Sequence, residues 1–483
     1  MIFSSPIFLL LFLPVVLTVY ALLPGLRAKN LWLLLTSLVF YAWGEVIFIF
    51  LLLASTLLNY FFGLWVDRTE DVGRRKLAAG IAVAANVGLL AFFKYADFAV
   101  ASLNSLLTFA GASPFPQPHI LLPIGISFFT FHAISYVVDI YRRKWKAARD
   151  PKDVALYIFF FPQLIAGPIL RWNAIAPQLA ERRTSGDEFA EGIRRFAGGL
   201  AKKMLIANAL ALPADQIFAL PANQLSPAVA WFGLICYTLQ IYFDFSGYSD
   251  MAIGMGKMFG FKFLENFNFP YTAQSIRDFW RRWHISLSTW FRDYLYIPLG
   301  GNRVSGARNN LNLVTVFFLC GLWHGASWTF VIWGLYHGVF LVLERTRFGT
   351  WLDGFPRPGR HLYTMLVVMM GWVLFRADTL AAAQSYFQSL AGWHHASAPQ
   401  PLARYLTRQA LWALVPGMLF CGPLWGWIKA ACIRLGQSAP ANYRGAVQIF
   451  GAVLEVVLVI GLLLISTIWL AGDTYNPFIY YRF

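Results

Sequence analysis

Long runs of apolar residues dominate the chain, and their length is its first structural signal. A helix needs about 20 predominantly apolar residues to cross the hydrocarbon core of a bilayer. Runs near this length occupy 2–24, 30–43, 45–66, 77–95, 119–141, 193–212, 228–250, 311–324, 327–345, 361–376, 409–434 and 447–471. Several are shorter than a full span, as is typical of tilted, broken or re-entrant helices. The pattern predicts an all-α polytopic membrane protein with about 11 transmembrane helices plus short and re-entrant ones.

One apolar segment is incompatible with a simple helix facing lipid. The stretch from Phe160 to Pro168 contains Pro162, Gly167 and Pro168. Proline removes a backbone donor and disrupts a helix, and irregular backbone survives at membrane depth only where protein or a wet cavity surrounds it. The segment therefore predicts a central cavity walled by protein.

The chain has no internal repeat and no long linker, so we expect a single domain over residues 1–483. The first apolar run, from Ile2 to Leu23, follows no basic stretch and ends without a small-residue cleavage site. We expect it to be a retained span rather than a signal peptide.

Composition supports the membrane class, since 58% of the residues are hydrophobic and only 13% are charged. A soluble globular chain carries about 25% charged residues. The formal net charge of +16 is better explained by basic loops that face anionic lipid than by a nucleic-acid partner. The same cations are suited to an anionic acyl donor, such as coenzyme A or a phosphopantetheine carrier.

Polar groups inside apolar runs are costly, so they are the best indicators of chemistry. His324 lies within Gly321–Trp328, far in sequence from any charged residue. Histidine suits general acid–base work near neutral pH, and the flanking glycines allow another backbone or a ligand to approach closely. A core histidine bonded to a carbonyl remains the structural alternative.

Two neighbours of His324 are weaker candidates. His337 would lie about 20 Å along a continuous helix and on its opposite face, so we interpret it as a packing or orienting residue unless the glycines break the helix. Cys320, one turn before His324, would share its face, but a small packing cysteine is a simpler interpretation than a nucleophile.

A second cluster, Asp278–Ser288, combines tryptophan, arginine and histidine. Trp280, Arg281 and Arg282 are candidates for binding an anionic donor, and His284 is a candidate partner of His324. An interfacial segment with snorkelling arginines explains the same residues equally well.

A third cluster places Asp244 and Asp250 at the end of an apolar run. A charge at this depth needs a partner. We expect structural ion pairs with the Arg277–Arg292 region.

Several reaction classes lack their sequence motifs. The chain has no Walker lysine loop, no GxGxxG opening a helix, no HExxH and no GxSxG, and its four cysteines form no CxxC pair. No metal and no permanently bound cofactor is therefore predicted. A nearly isolated histidine in an apolar cavity suits acyl transfer from a thioester to an alcohol, with water kept out.

Strings along almost the whole chain resemble the membrane-bound O-acyltransferase family, and within it the members that acetylate alginate and other bacterial polysaccharides. The resembling segments are Met1–Ser5, Leu122–Phe128, Leu164–Pro168, Tyr242–Met251, Glu265–Phe267, Phe279–Ser288 and Gly321–Gly325. The resemblance implies a ring of helices around a central tunnel or funnel. It also implies that His324 is catalytic and that His284 is the second polar residue of the site.

The resemblance further implies how acyl groups travel. In bacterial members, an inner-membrane protein takes an acyl group from a cytoplasmic donor, acetyl-coenzyme A or an acyl carrier, and passes it towards a periplasmic acetyltransferase partner or a polysaccharide acceptor. The tail Pro477–Phe483 resembles the aromatic tail of the small partner protein in teichoic acid D-alanylation. Tyr480 is thus a candidate acyl relay, because a phenol can be esterified and later deacylated; an aromatic anchor at the interface is the alternative.

Three functions remain open. An O-acetyltransferase for an exported polysaccharide is favoured, with alginate, cellulose or another exopolysaccharide as acceptor, and D-alanyl transfer to teichoic acid is a narrower alternative. A transporter or flippase without chemistry would line a substrate path with the same polar groups. A scaffold for a periplasmic acetyltransferase would not need His324 at all.

Overall fold

A computed structural model of the protein describes residues 1–393, 396–438, 441–472 and 476, and in this part of the chain every regular element is helical. The helices of the first part are α1 (Leu13–Leu22), α2 (Gly25–Ala42), α3 (Phe48–Arg68), α4 (Val72–Phe109), α5 (Ile126–Tyr141), α6 (Pro151–Phe159), α7 (Phe161–Leu164) and α8 (Trp172–Ala180). The predicted all-α class is confirmed.

The central part of the chain carries the longest buried helix and the residues of the later site. Its helices are α9 (Gly186–Ala201), α10 (Asn208–Phe218), α11 (Pro227–Met258), α12 (Ile276–Arg282), α13 (Ile285–Phe291), α14 (Gly306–His324) and α15 (Trp328–Leu343). The remaining helices are α16 (Arg347–Asp353), α17 (Arg357–Arg376), α18 (Leu380–Leu390), α19 (Arg408–Phe420), α20 (Leu424–Ser438) and α21 (Arg444–Gly472).

Within the described residues, four helices are long and apolar enough to cross a bilayer, namely α3, α4, α11 and α21. Helices α19 and α20, bent by 67° at their junction, add a fifth when they are taken as one span. Other predicted runs are shortened or interrupted; for example, a π-helical segment, Lys202–Ala207, follows α9 inside the run 193–212. The count of about 11 spans therefore stays a prediction.

Helix α11 lies at the centre of the fold. Its most apolar window is 83% buried, against 6% for α21. Paired glycines allow it to pack closely on α9: a Cβ atom on Gly199 would lie 2.6 Å from the carbonyl oxygen of Gly247, and one on Gly192 would lie 2.7 Å from that of Gly254. Small residues that bring two backbones together are a usual packing device of membrane helices.

Helices α14 and α15 form a hairpin whose backbones are also in close contact. A Cβ atom on Gly321 would lie 2.3 Å from the carbonyl oxygen of Phe330, and one on Gly334 would lie 2.3 Å from that of Phe317. The close approach proposed from the glycines near His324 is confirmed, and it fixes the end of α14 against α15.

We expect Gly334→Ala to lower the thermal melting temperature of the purified protein, because overpacking a tight contact costs about 1–3 kcal/mol. Gly88→Ala on α4 is the matched control, since its Cβ would meet nothing within 4 Å and alanine favours a helix over glycine. Equal melting temperatures for the two variants in the same detergent would show that the hairpin relaxes without cost.

The proline-rich segment after α6 is irregular and buried, as predicted. Helix α6 ends at Phe159, a single turn follows, and residues 160–170 are all buried. Hydroxyl groups accept hydrogen bonds from its backbone: Ser37 from the N–H of Phe161 (3.1 Å) and Ser286 from the N–H of Ile169 (3.0 Å). Protein groups therefore replace the partners that a regular helix would supply.

The carboxylates of α11 pair with other partners than expected. Asp244 lies 2.7 Å from the ammonium of Lys203, and both side chains are only 2% exposed. Asp250 lies 2.7 Å from Arg195 and 2.6 Å from Lys202. The expected pairing with the Arg277–Arg292 region is wrong, because this face of α11 packs on α9 and the π-helical segment that follows it.

Candidate active site

His324 is the last residue of α14 and only 5% exposed. The chain turns sharply at Gly325, where a Cβ atom would meet the Phe330 ring at 2.2 Å. Three aromatic rings surround the imidazole, with centroids at 4.8 Å (Trp323), 5.0 Å (Trp333) and 5.2 Å (Phe375). They come from α14, α15 and α17, so His324 is enclosed by an aromatic wall.

A cavity of about 180 Å³ lies beside this ring. Residues from α4, the start of α5, the proline-rich segment and the end of α14 line it: Lys94, residues 122–128, Ile165, Trp323 and His324. The protein-walled cavity predicted from the proline-rich segment is present, and His324 faces it. The volume suits a small acyl group.

His284, the second candidate histidine, is 1% exposed and lies at the start of α13. Its backbone adopts a left-handed conformation, with φ of +46°, which is uncommon for a residue other than glycine. Its Nδ1 atom lies 3.0 Å from the side-chain oxygen of Asn266.

Asn266 fixes the tautomer of His284. The Asn266 Oδ1 atom also accepts hydrogen bonds from the backbone N–H and the hydroxyl of Ser286 (3.2 and 2.9 Å), while its Nδ2 donates to Ser249 (3.0 Å). A backbone N–H only donates, so the atom facing His284 is the acceptor, and Nδ1 of the neutral ring carries the proton. Nε2 is then left as the basic nitrogen.

The fold brings the two predicted histidines to one tryptophan. The centroid of the Trp323 ring lies 4.8 Å from that of His324 and 6.1 Å from that of His284. Trp323 is also stacked on Phe131 at 5.4 Å, and Phe131 on Trp290 at 3.9 Å. This column of rings holds the indole in place between the elements that carry the histidines.

The three predicted donor-binding residues are not among the residues that line the cavity. Trp280 is buried against Phe317, Trp333 and His337. Arg281 is exposed, and Arg282 pairs with Asp278 at 2.9 Å. Trp280 is therefore a packing residue behind the aromatic wall, and its environment differs from that of the two arginines.

His337 lies on a different helix from His324, because α14 ends at His324 and α15 begins at Trp328. It is completely buried, and its ring centroid lies 5.2 Å from Trp333, which also contacts His324. One ring, that of Trp333, thus separates His337 from His324, which fits the packing role expected from the sequence. Tyr480 lies outside the described residues.

Two residues of the site were missed by the sequence-based interpretation. Asn266 appeared only within a resembling string, without a role. Lys94 was overlooked, although it is the one charged residue inside the apolar run 77–95. Its ammonium donates to the carbonyl oxygen of Trp323 and lines the cavity beside His324.

The model of the membrane-bound O-acyltransferase family matches residues 147–382. The probable alginate O-acetylase AlgI of Azotobacter vinelandii is 43% identical across the whole of both chains. That of Pseudomonas aeruginosa is 49% identical over 81% of this chain and 75% of its own. The peptidoglycan O-acetyltransferase of Helicobacter pylori is 40% identical over 81% of this chain and 80% of its own. The range matched by the family model contains Asn266, His284 and His324.

Proposed function

The chain belongs to the membrane-bound O-acyltransferase family, and we propose that this acyltransferase takes an acetyl group from a cytoplasmic thioester and passes it across the membrane for O-acetylation of an exported polysaccharide. The relatives named above are a probable alginate O-acetylase in two bacteria and a peptidoglycan O-acetyltransferase in a third. A polysaccharide of the alginate type is therefore the first acceptor to test, with acetylated cellulose as the next. The bacterial inner membrane is the proposed location, because the donor is cytoplasmic and the acceptor lies outside it.

The position of His324 carries this proposal. Its imidazole is buried behind aromatic rings yet faces a cavity with room for an acetyl group. A base in such a place takes the proton of an attacking hydroxyl while bulk water, the competing nucleophile, is kept away. The imidazolium then returns the proton to the departing thiolate, so the base is regenerated.

His284 completes the proposed pair. Asn266 holds the proton of His284 on Nδ1. The Nε2 atom can therefore accept a proton from the attacking hydroxyl through a relay. Both histidines contact Trp323. His324 lines the cavity, whereas His284 is not among the lining residues, so the proposed role of His284 is to receive a proton relayed from the site rather than to contact the substrate.

Arg281 and Arg282 are proposed to bind the donor before its acyl group enters the cavity. Acetyl-coenzyme A and an acylated carrier share a phosphate-bearing pantetheine arm, and guanidinium groups bind phosphate well. Arg281 is exposed, which suits a first contact. The proposed role of Trp280 is to hold α12, and with it the arginines, against α15 through Trp333. A periplasmic acetyltransferase or the polysaccharide itself is the proposed receiving partner.

Transfer is tested with protein in lipid vesicles and acetyl-coenzyme A, or an acetylated carrier, labelled in the acetyl group. We expect free thiol to be released on the donor side and label to appear on acetylated polysaccharide on the other side. Label that crosses without release of thiol would contradict the proposal and identify a transporter.

Tyr480 is proposed to carry the acetyl group as an ester between donor and acceptor. The tail begins just after Asn476, whose side chain bonds Ser4 (2.7 Å) and Asn208 (3.1 Å) and so holds this point of the chain against the helical core. We expect mass spectrometry of donor-loaded protein to find one acetyl group on Tyr480, lost in Tyr480→Phe, while Tyr481→Phe keeps it. An unmodified Tyr480 together with an active Tyr480→Phe variant would contradict the proposed role of Tyr480 as acyl relay.

A further inference from the structure

Lys94 is a buried cation in the wall of the cavity that His324 faces. The residue lies on α4 and is only 8% exposed. Its ammonium donates hydrogen bonds to the carbonyl oxygen of Trp323 and to the hydroxyl of Ser127 (3.3 Å). An ammonium has three donors, so one N–H beyond these two is available to a group inside the cavity.

The hydrogen bonds of Lys94 to protein oxygens do not require a positive charge. The next residue, Tyr95, caps the neighbouring carbonyl of α14, that of Leu322, with a neutral hydroxyl at 2.9 Å. A neutral donor is therefore sufficient to close this helix end. Burying a charge at membrane depth costs several kcal/mol, so the charge itself calls for an explanation.

No carboxylate in the described residues lies within ion-pair distance of Lys94, in contrast to other strongly buried cations. Lys203 has Asp244 at 2.7 Å, and Arg376 has Asp215 at 2.5 Å. Lys94 instead contacts two neutral oxygens, the ring of Trp323 (5.9 Å from ammonium to centroid) and the cavity. A cation held in this way can stabilise a transient negative charge that forms in the cavity during a reaction.

We propose that Lys94 is a further catalytic residue, whose ammonium stabilises the oxyanion formed on the carbonyl oxygen of the acyl group during transfer. The inference rests on the proposed function of His324 as the base. The N-terminus of the 16-residue helix α5, which starts at Ile126 and lines the same cavity, adds its positive dipole end to the effect.

The proposed transfer passes through one tetrahedral oxyanion. His324 takes the proton of the hydroxyl that attacks the thioester, the oxygen of that hydroxyl bonds to the carbonyl carbon, and the π electron pair of the carbonyl moves to the carbonyl oxygen beside Lys94. When the oxyanion collapses, the carbon–sulfur bond breaks, and the thiolate leaves with the proton held by His324. Lys94 keeps its own proton throughout and acts only by charge and hydrogen bond.

The test uses the full chain in lipid vesicles, with labelled acetyl-coenzyme A as the probe and kcat and KM measured separately. Lys94→Gln keeps a donor for the Trp323 carbonyl but removes the charge. We expect its kcat to fall by about a hundredfold, the typical effect of losing one oxyanion donor, with KM changed by less than about threefold. Tyr95→Phe, which removes only the neighbouring cap, should stay near wild type.

A second variant covers the case in which Lys94→Gln does not fold. Lys94→Arg keeps the charge on a differently shaped group, and we expect it to retain about a tenth of kcat or more. A kcat for Lys94→Gln equal to that of Tyr95→Phe, or an effect on KM alone, would overturn the inference and leave Lys94 as a helix cap. His324→Ala is measured alongside: if it is inactive, only the inference on Lys94 has failed, whereas full activity of His324→Ala would overturn the proposed function itself.

Discussion

Replacing His324 with alanine should lower the rate of acetyl transfer by about a thousandfold, within the range that a positioned general base contributes. The imidazole is the group in the aromatic wall that can take a hydroxyl proton, and it faces the cavity. The quantity to measure is release of free thiol from labelled acetyl-coenzyme A by the purified variant.

Two further variants separate chemistry from packing. His324→Gln fills more of the space among Trp333 and Phe375 than alanine does, yet it supplies no base, so it should be as inactive as His324→Ala. His119→Asn changes an exposed histidine and should remain fully active. A His324→Gln variant with wild-type activity would show that His324 only supports the fold, as the scaffold interpretation requires.

The sequence correctly predicted those features of the structure that follow from the polarity of a single segment. Apolar runs predicted the all-α class, and Pro162 and Pro168 predicted an irregular, buried segment, because backbone groups must be satisfied within protein at membrane depth. His324 was identified for the same reason. Burying a polar side chain in a long apolar stretch is costly, so the residue is expected to have a structural partner or a function.

Contacts between distant segments were beyond the reach of the sequence. Asp250 pairs with Arg195 and Lys202 because α9 packs on α11, a relation that no local pattern encodes. Lys94 meets Trp323 across 229 positions of chain. The separation of His324 from His337 depended on whether the glycines end a helix, and spacing alone left that question open.

The role of Asn266 also depends on a contact between distant segments, and it leads to a second prediction. It lies in a loop with no regular pattern, 18 positions before His284, yet its side-chain oxygen fixes the proton of that ring. The loop is held there because the backbone N–H of Ile285 also donates to the carbonyl oxygen of Asn266 (2.9 Å). The asparagine is therefore a positioning residue that acts through His284.

We expect Asn266→Leu to lower kcat by up to about a hundredfold, since leaving buried donors unsatisfied costs about 1–3 kcal/mol and the tautomer of His284 is no longer fixed. Ser249→Ala is the matched control: it removes the other hydrogen bond of the same amide (3.0 Å) without touching the histidine. Its kcat should fall far less than that of Asn266→Leu.

A double-mutant cycle decides whether Asn266 works through His284. If it does, adding Asn266→Leu to His284→Ala should cost little beyond His284→Ala alone, because the group it positions has already gone. The measured quantity is kcat for thiol release in all four proteins, with melting temperatures taken in the same detergent. Losses that multiply in the double variant would mean that Asn266 supports the loop independently, and the assignment of Nε2 as the working nitrogen of His284 would lose its basis.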